Sequence, residues 1–188
     1  MRGPIRSRPV DEIRAEAERL AQAGFTELVL TGIHLTSYGR DFTPRQTLLD
    51  AIRAVQDVPG VRRIRLGSLE PTVATVEFAQ ALRTMDKVCP QFHLALQSGS
   101  DTVLQRMSRR YNMRMYRQAM ENLRAVYPMA AFTTDVLTGF PGETEAEFEE
   151  TRDFIREARY AKIHVFPYSQ REGTKACLLY TSPSPRDM

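Results

Sequence analysis

The sequence predicts an α/β protein in which a parallel β-sheet is covered by helices. Two observations lead to this class: short apolar segments alternate with amphipathic helical segments, and a polar loop follows each apolar segment. Strands separated by helical crossovers run parallel because each crossover returns the chain to the same end of the sheet. The 188 residues, 42% of them hydrophobic, suffice for one domain with a core. The pattern is compatible both with an open, doubly wound sheet and with part of a barrel.

The individual elements follow from hydrophobic periodicity and from helix end signals. The first helix is predicted over 9–23, with a proline in its first turn and a glycine just after its end. The first strand, 25–31, is apolar enough to be buried. A capping box of Thr144 and Glu147 opens the last helix. Further helices are predicted over 47–55, 73–85, 101–107, 113–126 and 144–158, and further strands over 62–67, 92–97, 132–138 and 162–168.

Charge and hydropathy set broad limits on partners and location. The formal net charge is +3 and the isoelectric point is about 9.0, which permits a polyanionic partner without requiring one. The sequence has no apolar stretch of about eighteen residues, so no transmembrane helix is expected. The basic N-terminus lacks the apolar centre of a signal peptide. We therefore expect a cytoplasmic protein.

Cysteine and histidine spacing gives no metal motif. Cys89 and Cys177 are too distant for a CxxC site, and no disulfide framework is expected. Cys89 is interpreted as an inert, partly buried thiol. His93 and His164 lie in apolar strands and are expected to be core histidines, whereas the role of His34 is left open.

A polar, glycine- or proline-bearing loop follows each of the five predicted strands. In a parallel sheet these loops share one rim, where ligands bind. Together they predict a ligand-binding site at this rim, although turn geometry and helix capping would explain the glycines and polar residues of any single loop. The loops span 31–39, 67–71, 97–101, 139–143 and 168–173.

Several segments together carry a specific resemblance. In chain order, over residues 2–175, they are RGPIRSR, LTGIHLTSYG, RLGSLEP, HLALQSGSD, TDVLTGFPGETEAEFEE and HVFPYSQREGT. In order and wording they resemble the radical-SAM methylthiotransferases. TGIHL and SLEP are most similar to the members that methylthiolate threonylcarbamoyladenosine beside the tRNA anticodon. The sister activities, on isopentenyladenosine in tRNA or on an aspartate of a ribosomal protein, stay open as alternatives.

The resemblance implies a fold and a chemistry. The fold is a partial (β/α)6 barrel that binds S-adenosylmethionine (SAM) against a 4Fe-4S cluster, with tRNA as the partner. Electron transfer from the cluster splits SAM into a 5′-deoxyadenosyl radical, which abstracts hydrogen from the adenine ring. A second cluster supplies sulfur, and another SAM supplies the methyl group.

The resemblance also implies cofactor contacts at the strand ends. Thr31, Gly32 and Ile33 stand where the family's motif meets the amino and carboxylate groups of SAM. The later strands are expected to contact the nucleoside half of SAM, through Gln97 and Ser98 at the ribose and through Asp135, Gly139, Pro141, Phe166 and Tyr168 at the adenine.

Charged residues near these loops are further candidates. Arg106, Arg109 and Arg110 suit a SAM carboxylate or a tRNA phosphate, with a solvated helix face as the alternative. Of the three, Arg109 is predicted as a cofactor contact. Glu70, just before Pro71, suits either a substrate contact or a salt bridge within its loop.

The chain departs from the family at both ends. The cluster-binding CxxxCxxC motif is absent, and the RGPIRSR segment that follows it in the family begins at Arg2. Residues 1–176 are therefore interpreted as a radical-SAM core fragment without the first barrel strand. Its loss is expected to leave the LVL segment, 28–30, as an exposed parallel edge. Catalysis is expected in a longer parent and not in this chain. Residues 177–188 resemble translated sequencing-adapter sequence and are expected to be artefactual or disordered.

Two further classes of function are compatible with an α/β barrel. A non-catalytic remnant would bind SAM, a nucleotide or tRNA without chemistry. An aldolase-type barrel would need a reactive lysine at the end of a strand. Lys162 instead stands at the start of a strand, which disfavours that class.

Overall fold

The computed structural model describes residues 3–171, 173–174, 176–177 and 179. Met1, Arg2, Glu172, Lys175, Leu178 and residues 180–188 lie outside these residues. Within them the chain forms α1 (Val10–Gln22), β1 (Glu27–Leu30), α2 (Leu48–Gln56), β2 (Arg63–Leu66), α3 (Val76–Arg83), β3 (Gln91–His93), α4 (Asp101–Arg106), α5 (Met113–Val126), β4 (Ala131–Thr138), α6 (Glu145–Ala158) and β5 (Lys162–Pro167). The predicted alternation is confirmed.

The strands lie side by side in chain order, and all neighbours are parallel. β1 pairs with β2, and β3 pairs with β4, which pairs with β5. Isolated parallel bridges, Ile64 to Val88 and Leu69 to Leu94, join the two groups. A doubly wound sheet reverses its strand order at a switch point, whereas a barrel does not. The structure is therefore part of a barrel, which decides the alternative left open by the sequence.

The pleat of β4 separates a core face from a concave face. Phe132, Thr134 and Val136 are buried towards the helices, while Thr133 and Asp135 are only half-buried on the other face. The core lies between the sheet and the helices and includes Ile52, Leu82, Phe92, Leu104, Tyr116 and Leu123. Polar residues on the concave face are thus kept out of the apolar layer.

β1 is the exposed edge of the sheet. Phe25 and Val29 are both 57% exposed, so the buried strand predicted from the apolar sequence is wrong. The exposed parallel edge expected from the missing first barrel strand is confirmed. Among the described residues β1 pairs only with β2, so one of its two neighbours in a closed sheet is absent. Leu28 and Leu30, on the face towards α1, are half-buried.

β3 is shorter than the predicted 92–97 segment because side-chain hydroxyls take the place of some backbone hydrogen-bond partners after His93. The Thr134 hydroxyl accepts from the backbone N–H of Leu96 at 2.9 Å and donates to the carbonyl of Leu94 at 2.5 Å. The Tyr116 hydroxyl donates to the same carbonyl at 2.8 Å. These bonds keep the β3 segment beside β4 although regular pairing ends at His93.

Gly99 marks the point where α6 packs against the loop between β3 and α4. A β-carbon there would lie 2.7 Å from the α-carbon of Thr151 and 3.3 Å from the carbonyl oxygen of Glu150. The backbone N–H of Gly99 donates to the Thr151 hydroxyl at 2.9 Å. Only glycine fits without moving the helix backbone.

We expect Gly99→Ala to lower the free energy of unfolding by about 1 to 3 kcal/mol, because the added methyl group overpacks this contact. Urea unfolding followed by circular dichroism measures the loss. Gly32→Ala is the matched control, since a β-carbon there makes only an ordinary 3.4 Å contact with Leu35. Its change should stay within about 0.5 kcal/mol. Equal destabilisation by both substitutions would contradict the packing argument.

Candidate cofactor site

A large cavity opens at the carboxyl ends of β1 and β2. Its volume is about 1240 Å³. Four of the predicted cofactor residues line it, namely Thr31, Gly32, Ile33 and Arg109. The N-terminal segment 3–8 closes one side, which sequence reasoning did not predict. The cavity thus stands at the rim where a parallel α/β barrel binds its ligands.

The cavity wall has an apolar part and a charged part. The apolar part is a cleft between α1 and β1, lined by Ile13, Ala17, Leu20, Leu28 and Leu30. The charged part lies at the loops and is lined by Arg6, Arg8, Glu16, His34, Arg40, Glu70, Arg109 and Arg110. Polar recognition is therefore confined to the loop side of the cavity.

His34 and Glu70 connect the ends of β1 and β2 within this cavity. The Nε2 atom of His34 lies 3.0 Å from a carboxylate oxygen of Glu70. The backbone N–H of Glu70 donates to the Thr36 hydroxyl at 3.4 Å. His34, whose role the sequence left open, therefore pairs with Glu70. The pair connects the loop after β1 to the loop after β2.

Gln97 and Arg109 form a second pair at the end of the β3 segment. Gln97 has a φ of 65°, a left-handed conformation that is uncommon outside glycine. Its backbone bonds on both sides to β4, with its N–H donating to Asp135 at 2.9 Å and its carbonyl accepting from Leu137 at 2.8 Å. The guanidinium group of Arg109 donates to the Gln97 amide oxygen at 3.1 Å. Arg109 therefore links the β3 end to the cavity.

Ser98 is directed into the helix layer instead. It is fully buried, and its hydroxyl lies 3.2 Å from the Thr151 hydroxyl on α6. That hydroxyl also accepts from the backbone N–H of Ser100 at 3.2 Å. A contact of Ser98 with the ribose stays a prediction, and its side chain already serves loop packing.

On the concave face, Asp135 of β4 faces a histidine from each neighbouring strand. The Nε2 atom of His93 lies 3.4 Å from an Asp135 carboxylate oxygen, and its Nδ1 atom lies 3.0 Å from the Thr133 hydroxyl. His164 stands beside Asp135 in the β4–β5 register. His164 is exposed and stacks on Phe166, with ring centroids 6.5 Å apart, so its prediction as a core histidine is wrong. Its strand pairs only with β4 among the described residues.

The remaining predicted residues lie where β4 and β5 end. The backbone N–H of Gly139 donates to the Glu143 carboxylate at 2.6 Å, and Pro141 is buried. The Tyr168 ring meets Phe140 edge-on, with centroids 5.6 Å apart. The backbone N–H of Tyr168 donates to the carbonyl of Thr138 at 2.8 Å. This group forms a second part of the rim beside the cavity.

Arg106 belongs to a structural ion pair. Its guanidinium group donates to both carboxylate oxygens of Glu147, at 3.0 and 2.7 Å. The Thr102 hydroxyl donates to the same carboxylate at 2.5 Å. The hydrogen bonds from Arg106, from the Thr102 hydroxyl and from the backbone and hydroxyl of Thr144 lower the pKa of Glu147 to about 2. Sequence reasoning found Glu147 as a capping residue but missed this pair, which fastens α4 to α6.

The cysteines do not provide ligands for a 4Fe-4S cluster. Cys89 is buried in the core, and Cys177 is distant from it in the sequence. Among the described residues no three histidine, cysteine, aspartate or glutamate side chains gather as a metal site. Cluster ligation requires several thiolates together, so the residues present do not fit this cofactor. None of the helices in the described part of the chain is long and apolar enough to cross a bilayer.

A half-barrel of parallel strands with a polar, cavity-bearing rim is the architecture of α/β barrel proteins that bind ligands at their strand ends. The model of the Radical SAM superfamily matches residues 1–155. The chain therefore belongs to the radical SAM superfamily. The fold is also found in HemN from Escherichia coli, a radical SAM coproporphyrinogen III oxidase, with a TM-score of 0.65 at 17% identity over 95% of this chain and 42% of that one. The radical SAM methyltransferase TsrM from Kitasatospora setae gives a TM-score of 0.68 at 16% identity, over 87% and 30%.

Curated relatives are considerably more similar in sequence. The chain is 43% identical over 175 residues to the threonylcarbamoyladenosine tRNA methylthiotransferase MtaB of Bacillus subtilis (strain 168). It is 37% identical over 176 residues to the tRNA-2-methylthio-N(6)-dimethylallyladenosine synthase of Clostridium tetani. These matches cover 93% and 94% of this chain and 39% of each relative. The chain thus spans about two fifths of the length of both proteins.

We expect Glu147→Gln to lower the free energy of unfolding at pH 7 by about 1 to 2 kcal/mol, because it removes a charge-assisted pair. Glutamine retains the capping box, so the substitution isolates the charge. The pKa of Glu147 is lowered on folding from 4.5 to about 2, so its contribution is present above pH 4.5 and declines below it. Urea unfolding at a series of pH values should show the wild-type advantage shrinking as the pH falls below 4.5.

Glu149→Gln is the control on the same helix. Its pair with Arg152, at 3.3 Å, is solvent-exposed, so its loss should cost less than about 0.5 kcal/mol. A Glu147→Gln effect that is equally small, or that does not change with pH, would contradict the assignment.

Proposed function

We propose that this chain is the SAM-binding core of a tRNA methylthiotransferase that modifies threonylcarbamoyladenosine. The observation that carries the proposal is the 43% identity, across 93% of the chain, to a relative named for that activity. The rim of the half-barrel supports it, because amide, hydroxyl, carboxylate and guanidinium groups meet there at the strand ends. A zwitterionic nucleoside cofactor requires such a mixture of donors and acceptors.

The residues of the rim fit SAM by their chemistry. We assign its amino-acid half to Thr31, Gly32 and Ile33, with Arg109 as the cation for its carboxylate. The nucleoside half is assigned to the rim at the ends of β3, β4 and β5, formed by Gln97, Asp135, Gly139, Pro141, Phe166 and Tyr168, whereas the buried Ser98 would support this rim from behind. Gln97 is the bridge between the halves, because its side chain bonds to Arg109 and its backbone bonds to β4. Bound SAM would supply the radical precursor and the methyl group.

The cluster is assigned to residues outside these 188. The cysteines support this assignment, because one of them is buried in the core and the two are far apart in the sequence. The complete reaction, its tRNA partner and its sulfur source are accordingly proposed for a longer protein of the size of the relatives. Within it, the residues described above bind and orient SAM.

Nucleoside analysis tests the proposed substrate. The longer gene would be expressed in a strain lacking its own threonylcarbamoyladenosine methylthiotransferase, and digested tRNA would be examined by mass spectrometry. Appearance of the methylthio derivative of threonylcarbamoyladenosine supports the proposal. The 37% identity to the dimethylallyladenosine enzyme favours a second candidate, and methylthiolation of dimethylallyladenosine alone would establish that activity instead.

We expect Arg109→Gln to weaken SAM binding by about tenfold, because it removes the cation assigned to the SAM carboxylate. Equilibrium dialysis of the 188-residue chain with labelled SAM measures the change. Arg114→Gln, on the exposed side of α5, is the control with the same loss of charge and should bind like the wild type. Equal affinities for all three proteins would exclude Arg109 as a cofactor contact.

Anaerobic iron–sulfur reconstitution of the 188-residue chain should yield no stoichiometric cluster, because a 4Fe-4S cluster is held by several cysteine thiolates. Iron and sulfide content and the charge-transfer absorbance measure the outcome. A double substitution, Cys89→Ser with Cys177→Ser, is the control for adventitious iron and should retain as little as the wild type. A stoichiometric cluster that the double substitution abolishes would show that these two thiols are ligands after all.

A further inference from the structure

Three hydrogen bonds clamp the N-terminal segment onto the loop after β1. The backbone N–H of Ser7 donates to the Asp41 carboxylate at 2.8 Å, and the Ser7 hydroxyl accepts from the backbone N–H of Gly39 at 2.8 Å. The Tyr38 hydroxyl donates to the carbonyl of Arg8 at 2.7 Å. We call these contacts the RSR clamp. It joins the RGPIRSR and LTGIHLTSYG motifs, which both line the cavity.

The clamp depends on a glycine in the loop. Gly39 has a φ of +76°, and a β-carbon there would lie 2.1 Å from the carbonyl oxygen of Gln46. Both facts restrict the position to glycine. The loop can therefore turn tightly and present the Gly39 N–H to Ser7, which holds the two segments in one arrangement.

The clamp places arginines along one side of the cavity. Arg6, Arg8 and Arg40 flank the clamped residues and are exposed, and Arg109 and Arg110 line the same cavity. Two glutamates, at positions 16 and 70, also line it. Five arginines and two glutamates leave a surplus of three positive charges, which equals the formal net charge of the whole chain, +3. The lining of this cavity therefore carries a positive formal charge, which favours an anionic ligand.

Three of these guanidinium groups have no acidic partner. Among the described residues, Arg6, Arg40 and Arg110 make no ion pair. Arg62 and Arg114 are unpaired too, but they do not line this cavity. Arg8 has a 3.4 Å contact with Glu12, and Arg109 is bonded to Gln97. Unpaired cations that line one cavity favour an anion with several charged groups.

We propose that Arg6, Arg40 and Arg110 bind backbone phosphates of the RNA strand next to the modified nucleotide, with the RSR clamp positioning the first two. This deepens the proposed function and rests on it. One SAM carboxylate, already assigned to Arg109, would leave these three cations unused. A single-stranded RNA backbone presents phosphates in series, and guanidinium groups bind phosphate oxygens in pairs.

The apolar surface beside the arginines suits the same ligand. Ile33 lines the cavity beside the arginines and is 76% exposed. A nucleotide combines a charged backbone with a flat apolar base, so an apolar surface next to unpaired cations matches both of its parts. The core itself therefore contributes to holding RNA at the SAM site.

Salt-dependent RNA binding tests the proposal on the 188-residue chain. The probe is a fluorescein-labelled anticodon stem-loop transcript, followed by anisotropy over a series of potassium chloride concentrations. Each phosphate contact to a single strand contributes about 0.7 to the slope of log Kd against log salt. The triple substitution Arg6→Gln, Arg40→Gln and Arg110→Gln should therefore reduce that slope by about 2 and weaken binding at low salt by at least about tenfold.

Arg62→Gln is the matched control. Arg62 is exposed, makes no ion pair among the described residues and lies just before β2, at the opposite end of the half-barrel. It should leave both slope and affinity unchanged. Ser7→Ala tests the clamp without changing any charge, and we expect Kd to rise about threefold or more, with recovery in Ser7→Thr, which keeps the hydroxyl. Thermal melting checks that all variants fold.

Three results would overturn the proposal. They are the absence of measurable RNA binding by the wild-type chain, an unchanged slope in the triple variant, and a triple variant that binds RNA normally but has lost SAM affinity in dialysis. The last result would assign the arginines to the cofactor. Failure here is distinguishable from failure of the proposed function, because the latter is decided by the nucleosides found in tRNA.

Discussion

The constraint behind this structure is the parallel, sequential order of its strands. Since β1 to β5 are neighbours in chain order and run in one direction, their carboxyl ends meet at one rim. Each crossover then needs a helix on the outer face, which supplies the apolar layer, while the concave face keeps polar residues such as Asp135 and His93. Core, concave face and ligand rim are three consequences of that single topology.

The rim is organised by pairs that link one strand end to the next. His34 with Glu70 connects β1 to β2, and Gln97 bonds both to Arg109 and to the backbone of β4. Such pairing holds polar groups in place before a ligand arrives, which reduces the entropy lost on binding. The RSR clamp does the same for arginines that have no carboxylate of their own. In the proposed function, the pre-organised pairs would hold the small cofactor and the unpaired cations would hold the larger anion.

Much of the fold and part of the site could be predicted from residue patterns. Periodicity located all five strands, and Thr144 with Glu147 marked the start of α6 as a capping box. Errors arose where partners decide the outcome. His164 lies in an apolar strand yet is exposed, on a strand that pairs only with β4 among the described residues. Burial depends on neighbouring strands, which local sequence does not specify.

By itself the sequence determined the alternation of elements, the polar loops at the strand ends and the lack of a cysteine cluster, because these depend on residue type and spacing. Only the tertiary structure decided between barrel and open sheet, paired Arg106 with Glu147, directed Ser98 into the helix layer and joined Ser7 to Gly39. Ser7 and Gly39 are separated by more than thirty residues, as are Arg106 and Glu147. Contacts over such distances form only when the chain has folded, and they decide which arginines remain free for a ligand.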